Sequence, residues 1–299
     1  MYNLSFLLSI IGVLLSVAFF TLLERKIMSL MHYRVGPNKV VIYGVSQPMS
    51  DAAKLLTKEN MNMSSQKKLM FYSGPTVSLC LMVLVWEWSE TKYSMMSPTL
   101  KIFIILGIMS LTAYGFILSS WGSNSKYSLI GGFRAVAQVV SYEVCLILFL
   151  MIIIFLTGSY KFMLMTEMQK SFWFMMFMPP LFITWVMLCM AESNRTPFDL
   201  AEGESELVSG FNVEYGGGMF ALIFIAEYGM IMFMSALTAM FFMGSSLLLV
   251  KTMLMCITFI WVRCAFPRVK YDKLMNISWK MALPYSLSLL LLSASLCML

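Results

Sequence analysis

The sequence is poor in charge and nearly lacks histidine. Only 12% of its 299 residues are charged and 60% are hydrophobic, whereas soluble domains average about 25% charged and roughly 45–50% apolar residues. This composition excludes a soluble globular domain and is typical of a polytopic membrane protein. The single histidine, His32, cannot form a zinc site by itself.

The six cysteines show no metal-ligand spacing and no C-x-x-C pair, so we interpret them as small buried side chains. The sequence also lacks a glycine-rich nucleotide loop, an iron–sulfur cysteine pattern and paired haem histidines. The three glycines at 216–218 open an apolar run without a preceding strand, which argues against phosphate binding. The chain is therefore expected to have no metal and no redox centre of its own.

Eight apolar runs reach or approach the ~20 residues that a membrane span requires. They are 3–23, 70–88, 99–121, 135–157, 172–192, 216–242, 245–265 and 281–299. Lipid offers no partner for open backbone groups, so these runs should be helices. The sequence predicts an all-α polytopic membrane protein with about eight transmembrane helices, one domain over 1–299, and no internal repeat. The run 4–23 reads as a retained span rather than a cleaved signal.

The loops between these runs alternate in basic charge. Sixteen of the 21 lysines and arginines lie in or beside the odd-numbered loops, which puts those loops on the inner side. The pattern in the long first loop, 24–69, predicts a short amphipathic helix with Ser50 as its N-cap. On the residues alone, the simplest interpretation of that segment is an interfacial helix that rests on lipid headgroups.

The fifth loop, 193–215, is strongly acidic. With the adjacent Glu192 it contains six of the fifteen acidic residues, and only Arg195 opposes them. The other five acids are Asp199, Glu202, Glu204, Glu206 and Glu214. Crowded carboxylates cannot all ionise cheaply, so at least one pKa should be raised. A proton relay would use such a group, and a solvated acidic loop is the plain alternative.

The local pattern in this loop predicts a short helix. Thr196, Pro197 and Asp199 resemble a capping box with proline at the first helical position. A helix starting at Pro197 would place Asp199, Glu202 and Glu206 on one face.

Two glutamates lie inside apolar runs, where a charge costs ~2.5–3.5 kcal/mol. Glu143 falls at the start of the fourth predicted span, and Glu227 falls about 16 Å along the sixth, near mid-bilayer. With Glu192 they would form a chain of acids from the loop to the middle of the membrane. The plain alternative is that each acid is neutral, or hydrogen-bonded to a Ser or Tyr such as Tyr142 or Tyr228.

Several motifs resemble membrane subunit 1 of respiratory complex I, the proton-pumping NADH:ubiquinone oxidoreductase, and they occur in the order of that family. They are E-R-K at 24–26, R-V-G-P-N at 34–38, Q-P-M-S-D-A-A-K-L at 47–55, R-A-V-A-Q-V-V-S-Y-E at 134–143, A-E-S-N-R-T-P-F-D-L-A-E-G-E-S-E-L-V-S-G-F-N-V-E-Y at 191–215 and P-R-V-K-Y-D at 267–272. The 31 methionines are similar to the usage of mitochondrially encoded members.

The resemblance implies roles for single residues. Arg25, Arg34, Asp51, Ala52 and Phe224 would border the ubiquinone chamber, with loop 24–69 as one of its walls. On residues alone, the two arginines are equally well explained as positive-inside anchors.

The resemblance also implies a setting. Glu143, Glu192, Glu227 and the loop acids would form the proton path out of the chamber. Ubiquinone would be the substrate, with FMN and iron–sulfur clusters only in partner subunits. The location would be the inner mitochondrial membrane, with the odd-numbered loops on the matrix side. The partners would be the other complex I subunits and membrane lipid, and no nucleic acid would bind.

Three other classes of membrane protein fit the sequence less well. A stand-alone proton-coupled secondary transporter would show an internal repeat with matched broken helices, and the sequence shows neither. Membrane-bound hydrogenases have a similar subunit, but the high methionine content, which resembles that of mitochondrially encoded proteins, argues against them. A purely structural anchor leaves Glu143 and Glu227 unexplained. The short link at 243–246 and the end within the eighth run depart from the mitochondrial pattern, which puts contacts on the outer face in doubt.

The acidic loop yields one test. Glu202→Gln removes an ionisable group while keeping its shape, so we expect slower quinone-coupled turnover with assembly largely intact. Normal quinone-coupled proton pumping in an assembled Glu202→Gln enzyme would contradict this role.

Overall fold

The computed structural model describes residues 2–59, 64–88, 100–170, 172–200, 203 and 210–298. Within these ranges the fold is a bundle of helices without strands. The helices are α1 (Tyr2–Met31), α2 (Gln47–Thr57), α3 (Lys68–Trp88), α4 (Lys101–Ser110), α5 (Thr112–Ser123), α6 (Lys126–Thr157), α7 (Phe162–Met168), α8 (Phe174–Phe177), α9 (Pro179–Glu192), α10 (Gly217–Met243), α11 (Leu248–Ala265), α12 (Tyr271–Asn276) and α13 (Leu283–Met298). A 3₁₀ turn covers Gly210–Asn212, and a π-helical turn, Ile277–Ala282, joins α12 to α13.

Seven segments of the described chain are long and apolar enough to cross a membrane. They are Leu7–Met31, Lys68–Glu87, Lys101–Ser123, Lys126–Thr157, Gly217–Met243, Leu248–Ala265 and Tyr271–Cys297. This arrangement confirms the predicted all-α polytopic membrane protein.

The predicted span 172–192 is helical but interrupted. The break lies at Met178, whose φ of −131° and ψ of 70° leave the helical region. Met178 precedes Pro179 and Pro180, and a residue before proline is pushed out of the α region while proline itself lacks an N–H. The 14 residues of α9 extend about 21 Å, short of the ~30 Å hydrocarbon core.

Two helix boundaries differ from the sequence prediction in ways that move charged residues. Helix α1 continues eight residues beyond the predicted end, so Glu24 and Arg25 lie on the helix rather than in a loop. Helix α6 begins at Lys126, and Glu143 therefore lies past its middle rather than at its start. The stretch before residue 135 is rich in small and apolar residues, and it extends the helix because it packs against α5 and the Gly210 turn.

The predicted amphipathic helix in the first long loop is present as α2, but its start was predicted wrongly. The helix begins at Gln47, with Ser46 at the cap position and Pro48 in the first turn, where proline is favoured. Ser50 is already helical and its hydroxyl donates to the Gln47 carbonyl at 2.8 Å, so it cannot serve as the N-cap.

Small residues let α3, α5 and α6 approach closely, as is common between helices in membranes. A Cβ at Gly74 would lie 2.8 Å from the Ser119 backbone nitrogen, and one at Gly132 would lie 2.2 Å from the Ser120 hydroxyl. The other side of α6 faces α9 and α13. The fully buried Trp185 of α9 in turn packs edge-on against Phe241 of α10, with ring centroids 5.8 Å apart.

Gly122→Ala should destabilise the contact between α3 and α5. The added Cβ would lie 2.5 Å from the Phe71 nitrogen and 2.6 Å from the Phe71 Cα, and backbone atoms cannot yield as a flexible side chain can. We expect a loss of about 1–3 kcal/mol, the usual range for overpacking, measured as a lower thermal inactivation midpoint in detergent.

Gly107→Ala is the matched control, because a Cβ at this helical glycine meets nothing within 4 Å. Equal midpoints for the two variants would contradict the close approach of α3 and α5.

Candidate functional site

A buried ion pair joins the C-terminal part of α1 to α11. Glu24 is 4% exposed, and its Oε1 accepts a hydrogen bond from the Arg263 guanidinium. The Tyr228 hydroxyl of α10 donates to Glu24 Oε2 at 2.6 Å. Both carboxylate oxygens are therefore paired, and one carboxylate fixes three helices that are far apart in sequence.

Arg195 extends this cluster toward the middle of α10. Its guanidinium lies over the Tyr228 ring, 4.3 Å from the centroid, and its Nη2 is 3.9 Å from Glu227 Oε2. Both side chains of this ion pair are nearly buried, at 13% and 14% exposure. The polar chain therefore runs from Arg263 through Glu24, Tyr228 and Arg195 to Glu227.

The segment after α9 forms a buried turn, and the helix predicted to start at Pro197 is absent there. The Pro197 carbonyl accepts from the Val269 N–H at 2.9 Å, and the Phe198 carbonyl accepts from the Gln138 side chain at 2.7 Å. These are the carbonyls that a helix starting at Pro197 would need for its first turns. Long-range partners bind them, and the Thr196 hydroxyl has no hydrogen-bond partner among the described residues.

Asp199 lies directly after this turn and is buried. Its Oδ2 lies 3.4 Å from Nη2 of Arg268, so the loop acid pairs with the basic stretch after α11. Glu202, Glu204 and Glu206 lie outside the described residues. Because Asp199 is not helical, the helical face predicted for Asp199, Glu202 and Glu206 loses its basis.

Glu192 and Glu227 line the same cleft. It has a volume of about 610 Å³, lies between α3, α5 and α10, and has mainly small and apolar walls, including Pro75 and Phe116. Glu192 is 8% exposed, and its Oε2 has no hydrogen-bond partner among the described residues. Two carboxyl groups thus face one narrow space.

Glu143 belongs to the same group of acids. It lies half-buried on α6, close enough to Glu192 for the two charges to interact. The tyrosines considered as partners of the buried acids have other partners. Tyr142 donates to the Leu274 carbonyl at 2.9 Å, and Tyr228 donates to Glu24.

A second, smaller cleft of about 330 Å³ lies on the other side of the turn. Glu24, Arg195 and Arg263 line it, together with apolar residues such as Phe20 and Phe259. Ser193 borders both clefts, so the turn at 193–195 separates them.

The far end of the acidic loop is anchored to α3 and α5. The Tyr215 hydroxyl donates to the Phe71 carbonyl at 3.0 Å and to the Ser119 carbonyl at 3.2 Å. Burial raises the pKa of the Tyr215 phenol, so it serves as a donor at any working pH. Glu214 beside it is half-buried.

The residues predicted for the quinone chamber fall into two places. Arg25 Nη1 lies 2.7 Å from Asp51 Oδ2, which ties α1 to α2, and Gln47 donates to the same carboxylate at 3.0 Å. Ala52 and Arg34 are exposed on this side. Phe224 lies on α10 between Phe220 and Tyr228, with ring centroids at 4.3 and 6.2 Å.

Sequence reasoning missed four members of the cluster as site residues: Glu24, Arg195, Tyr228 and Arg263. Arg263 lies within the apolar run 245–265, and a basic residue there is the signal that could have identified it. Glu24, directly after the first apolar run, is a similar signal. Neither position indicates which residue the charged side chain pairs with.

Fold and site together define an all-α polytopic membrane protein with a buried chain of acidic and basic side chains. The family model described as NADH dehydrogenase matches residues 4–294. The chain is 49% identical to NADH-ubiquinone oxidoreductase chain 1 of Aedes aegypti, over 95% of this chain and 92% of that protein. The corresponding chain of Sarcophilus harrisii is 43% identical over 99% of this chain and 96% of that protein. That of Emballonura alecto is 44% identical over 97% of this chain and 94% of that protein.

The chain therefore belongs to the NADH dehydrogenase family, with the chain 1 subunits of NADH-ubiquinone oxidoreductase as its relatives. This confirms the resemblance drawn from the motifs.

Glu24→Ala should strongly destabilise the bundle, because it leaves the Arg263 charge and the Tyr228 hydroxyl without their buried acceptor. Removing one partner of a buried ion pair costs about 3–5 kcal/mol. The measurement is the thermal stability and yield of the assembled enzyme.

Glu167→Ala is the control, since its pair with Lys170 spans 3.5 Å between side chains that are 54% and 70% exposed. Exposed pairs contribute about 0–1 kcal/mol. A loss for Glu24→Ala no larger than that of the control would contradict the central position of this ion pair.

Proposed function

We propose that this chain forms part of the ubiquinone chamber of the proton-translocating NADH:ubiquinone oxidoreductase, and part of the acidic path that couples quinone reduction to proton movement. Family membership makes the chain a core, multi-pass membrane subunit of that enzyme. The ubiquinone chamber and the acidic path go beyond what family membership alone gives.

The observation that carries the proposal is the succession of ionisable side chains that are paired with one another or line the same two clefts of the bundle. It runs from Arg263 and Glu24 at one cleft, through Arg195 and Glu227, to the second cleft with Glu192. Glu143 continues it on α6. Each charge would cost ~2.5–3.5 kcal/mol in an apolar span, so six such groups in one line need a function beyond packing.

The chemistry of the path follows from the two kinds of group. Guanidinium groups stay charged at all working pH values, whereas carboxyl groups can gain or lose a proton. A proton that arrives at Glu227 weakens its attraction to Arg195 and changes the field at Glu192 and Glu143. One pKa unit is ~1.4 kcal/mol, and one charge moved across ~100 mV is ~2.3 kcal/mol. A few coupled carboxyl groups therefore match the energy required.

The chamber wall is assigned to the inner ends of α1, α2 and α10. Arg25 and Asp51 supply polar contacts, while Phe224 and its aromatic neighbours supply an apolar surface, the combination that a lipidic quinone requires. Reduction of the quinone takes two electrons and two protons. The chain would supply the wall and proton-bearing groups, and partner subunits with FMN and iron–sulfur clusters would supply the electrons.

The proposed location is the inner mitochondrial membrane, with the odd-numbered loops on the matrix side. Support comes from the excess of lysine and arginine in those loops. The acidic loop and α2 would then face the same side, where the quinone-site and iron–sulfur subunits dock.

Glu227→Gln and Glu192→Gln test the path. Glutamine keeps the shape of each side chain but cannot release a proton, so we expect at least a several-fold loss of quinone-coupled proton pumping in the assembled enzyme. NADH oxidation by an artificial acceptor should persist, because it bypasses the membrane part.

Glu167→Gln serves as the matched control on an exposed helix and should pump normally. Unchanged protons per electron in both Glu192→Gln and Glu227→Gln would overturn the acidic path.

A further inference from the structure

Gln138 is a fully buried amide in the middle of α6. Its Nε2 donates to the Ala191 carbonyl at 2.9 Å and to the Phe198 carbonyl at 2.7 Å. These two carbonyls are seven residues apart, at the start and end of the buried turn. One side chain therefore closes the turn and attaches it to α6.

The turn that Gln138 closes contains the groups assigned to the proton path. Glu192 and Arg195 lie between the two carbonyls, and Asp199 follows directly after them. Glu143 lies five residues beyond Gln138 on α6, close enough to Glu192 for the charges to interact. The amide thus sits between the helix that positions one acid and the turn that positions the others.

Packing and stability alone do not explain an amide at this position. Each carbonyl also accepts a local backbone N–H, from Asn194 at 3.3 Å and from Leu200 at 3.0 Å. The Gln138 Oε1 is buried without a hydrogen-bond partner among the described residues, a state that is costly for a polar atom. A leucine of similar size would remove that cost, but it would lose the attachment.

We propose that Gln138 is a positioning residue, whose amide holds the Ala191 and Phe198 carbonyls and thereby sets the spacing between Glu143 on α6 and Glu192 and Arg195 in the turn. The inference rests on the proposed proton path and identifies what maintains its geometry. Gln138 itself exchanges no proton. Its two N–H donors are the required chemistry, because a carboxylate donates none and a protonated carboxyl donates one.

The donor count gives a series of variants for the assembled enzyme. Gln138→Asn keeps two donors on a shorter arm, Gln138→Glu offers one donor only when protonated, and Gln138→Leu offers none. We expect protons pumped per electron to fall at least two-fold in Gln138→Leu and by less in Gln138→Asn. The rate with an artificial electron acceptor should stay unchanged.

The pH profile separates positioning from simple destabilisation. Coupling in Gln138→Glu should improve as pH falls, because the introduced carboxyl gains the proton that it needs to donate. Gln138→Leu should show no such recovery. If Gln138→Leu does not assemble, the profiles of Gln138→Glu and Gln138→Asn decide the question. A Gln138→Glu profile parallel to that of the unmodified enzyme would overturn the proposal.

Gln169 provides a matched control. It is also a buried glutamine, and its Nε2 donates to the Met165, Met240 and Phe241 carbonyls at 3.2, 3.3 and 2.9 Å. None of these residues belongs to the acidic path. Gln169→Leu should lower the amount of assembled enzyme without changing protons per electron. An equal loss of coupling in Gln169→Leu would count against a specific role for Gln138.

Failure of this inference is distinguishable from failure of the proposed function. If Glu192→Gln abolishes pumping while Gln138→Leu pumps normally, the path stands and the positioning role falls. If Gln138→Leu, Glu192→Gln and Glu227→Gln all pump normally, both the path and the positioning role fall.

Discussion

The cost of placing a charge in an apolar medium is the constraint on which the rest of this structure depends. Lipid tails are as apolar as leucine, so the hydrophobic effect contributes little to the association of helices in a membrane. The Glu24 carboxylate, in contrast, finds its donors on α10 and α11 alone among the described residues. Charge pairing therefore sets how α1, α10 and α11 meet, and the glycine and serine contacts set how closely α3, α5 and α6 approach.

This constraint also makes the bundle responsive to protons. Two arginines, Arg195 and Arg263, stay charged, while the carboxyl groups beside them can change state. Because the clefts are narrow and mostly apolar, a change at one carboxyl is poorly screened and is felt at the next. The network that stabilises the bundle is thus also the one that we propose to carry protons, and a single substitution would then disturb both assembly and coupling.

The sequence predicted the spans and three of the buried acids because those features are local. Runs of ~20 apolar residues indicate helices, and Glu143, Glu192 and Glu227 are conspicuous at such runs. The partners were not predictable in this way, since Glu24 pairs with Arg263 over 239 residues and with Tyr228 over 204. The helix expected at Pro197 failed for the same reason. Its local signals were correct in kind, but Val269 and Gln138 bind the carbonyls that the helix required.

The described ends of the acidic loop are buried. A solvated loop would expose its ends, yet Glu192, Phe198 and Asp199 are buried at one end and Gly210–Asn212 at the other. Both ends rest on α6, through Gln138 at the first and through Gly131 at the second, where a Cβ would lie 2.9 Å from the Gly210 Cα. These contacts hold the described ends of the loop against α6. We therefore expect a change of charge at Glu192 or Asp199 to act on α6, which holds Glu143.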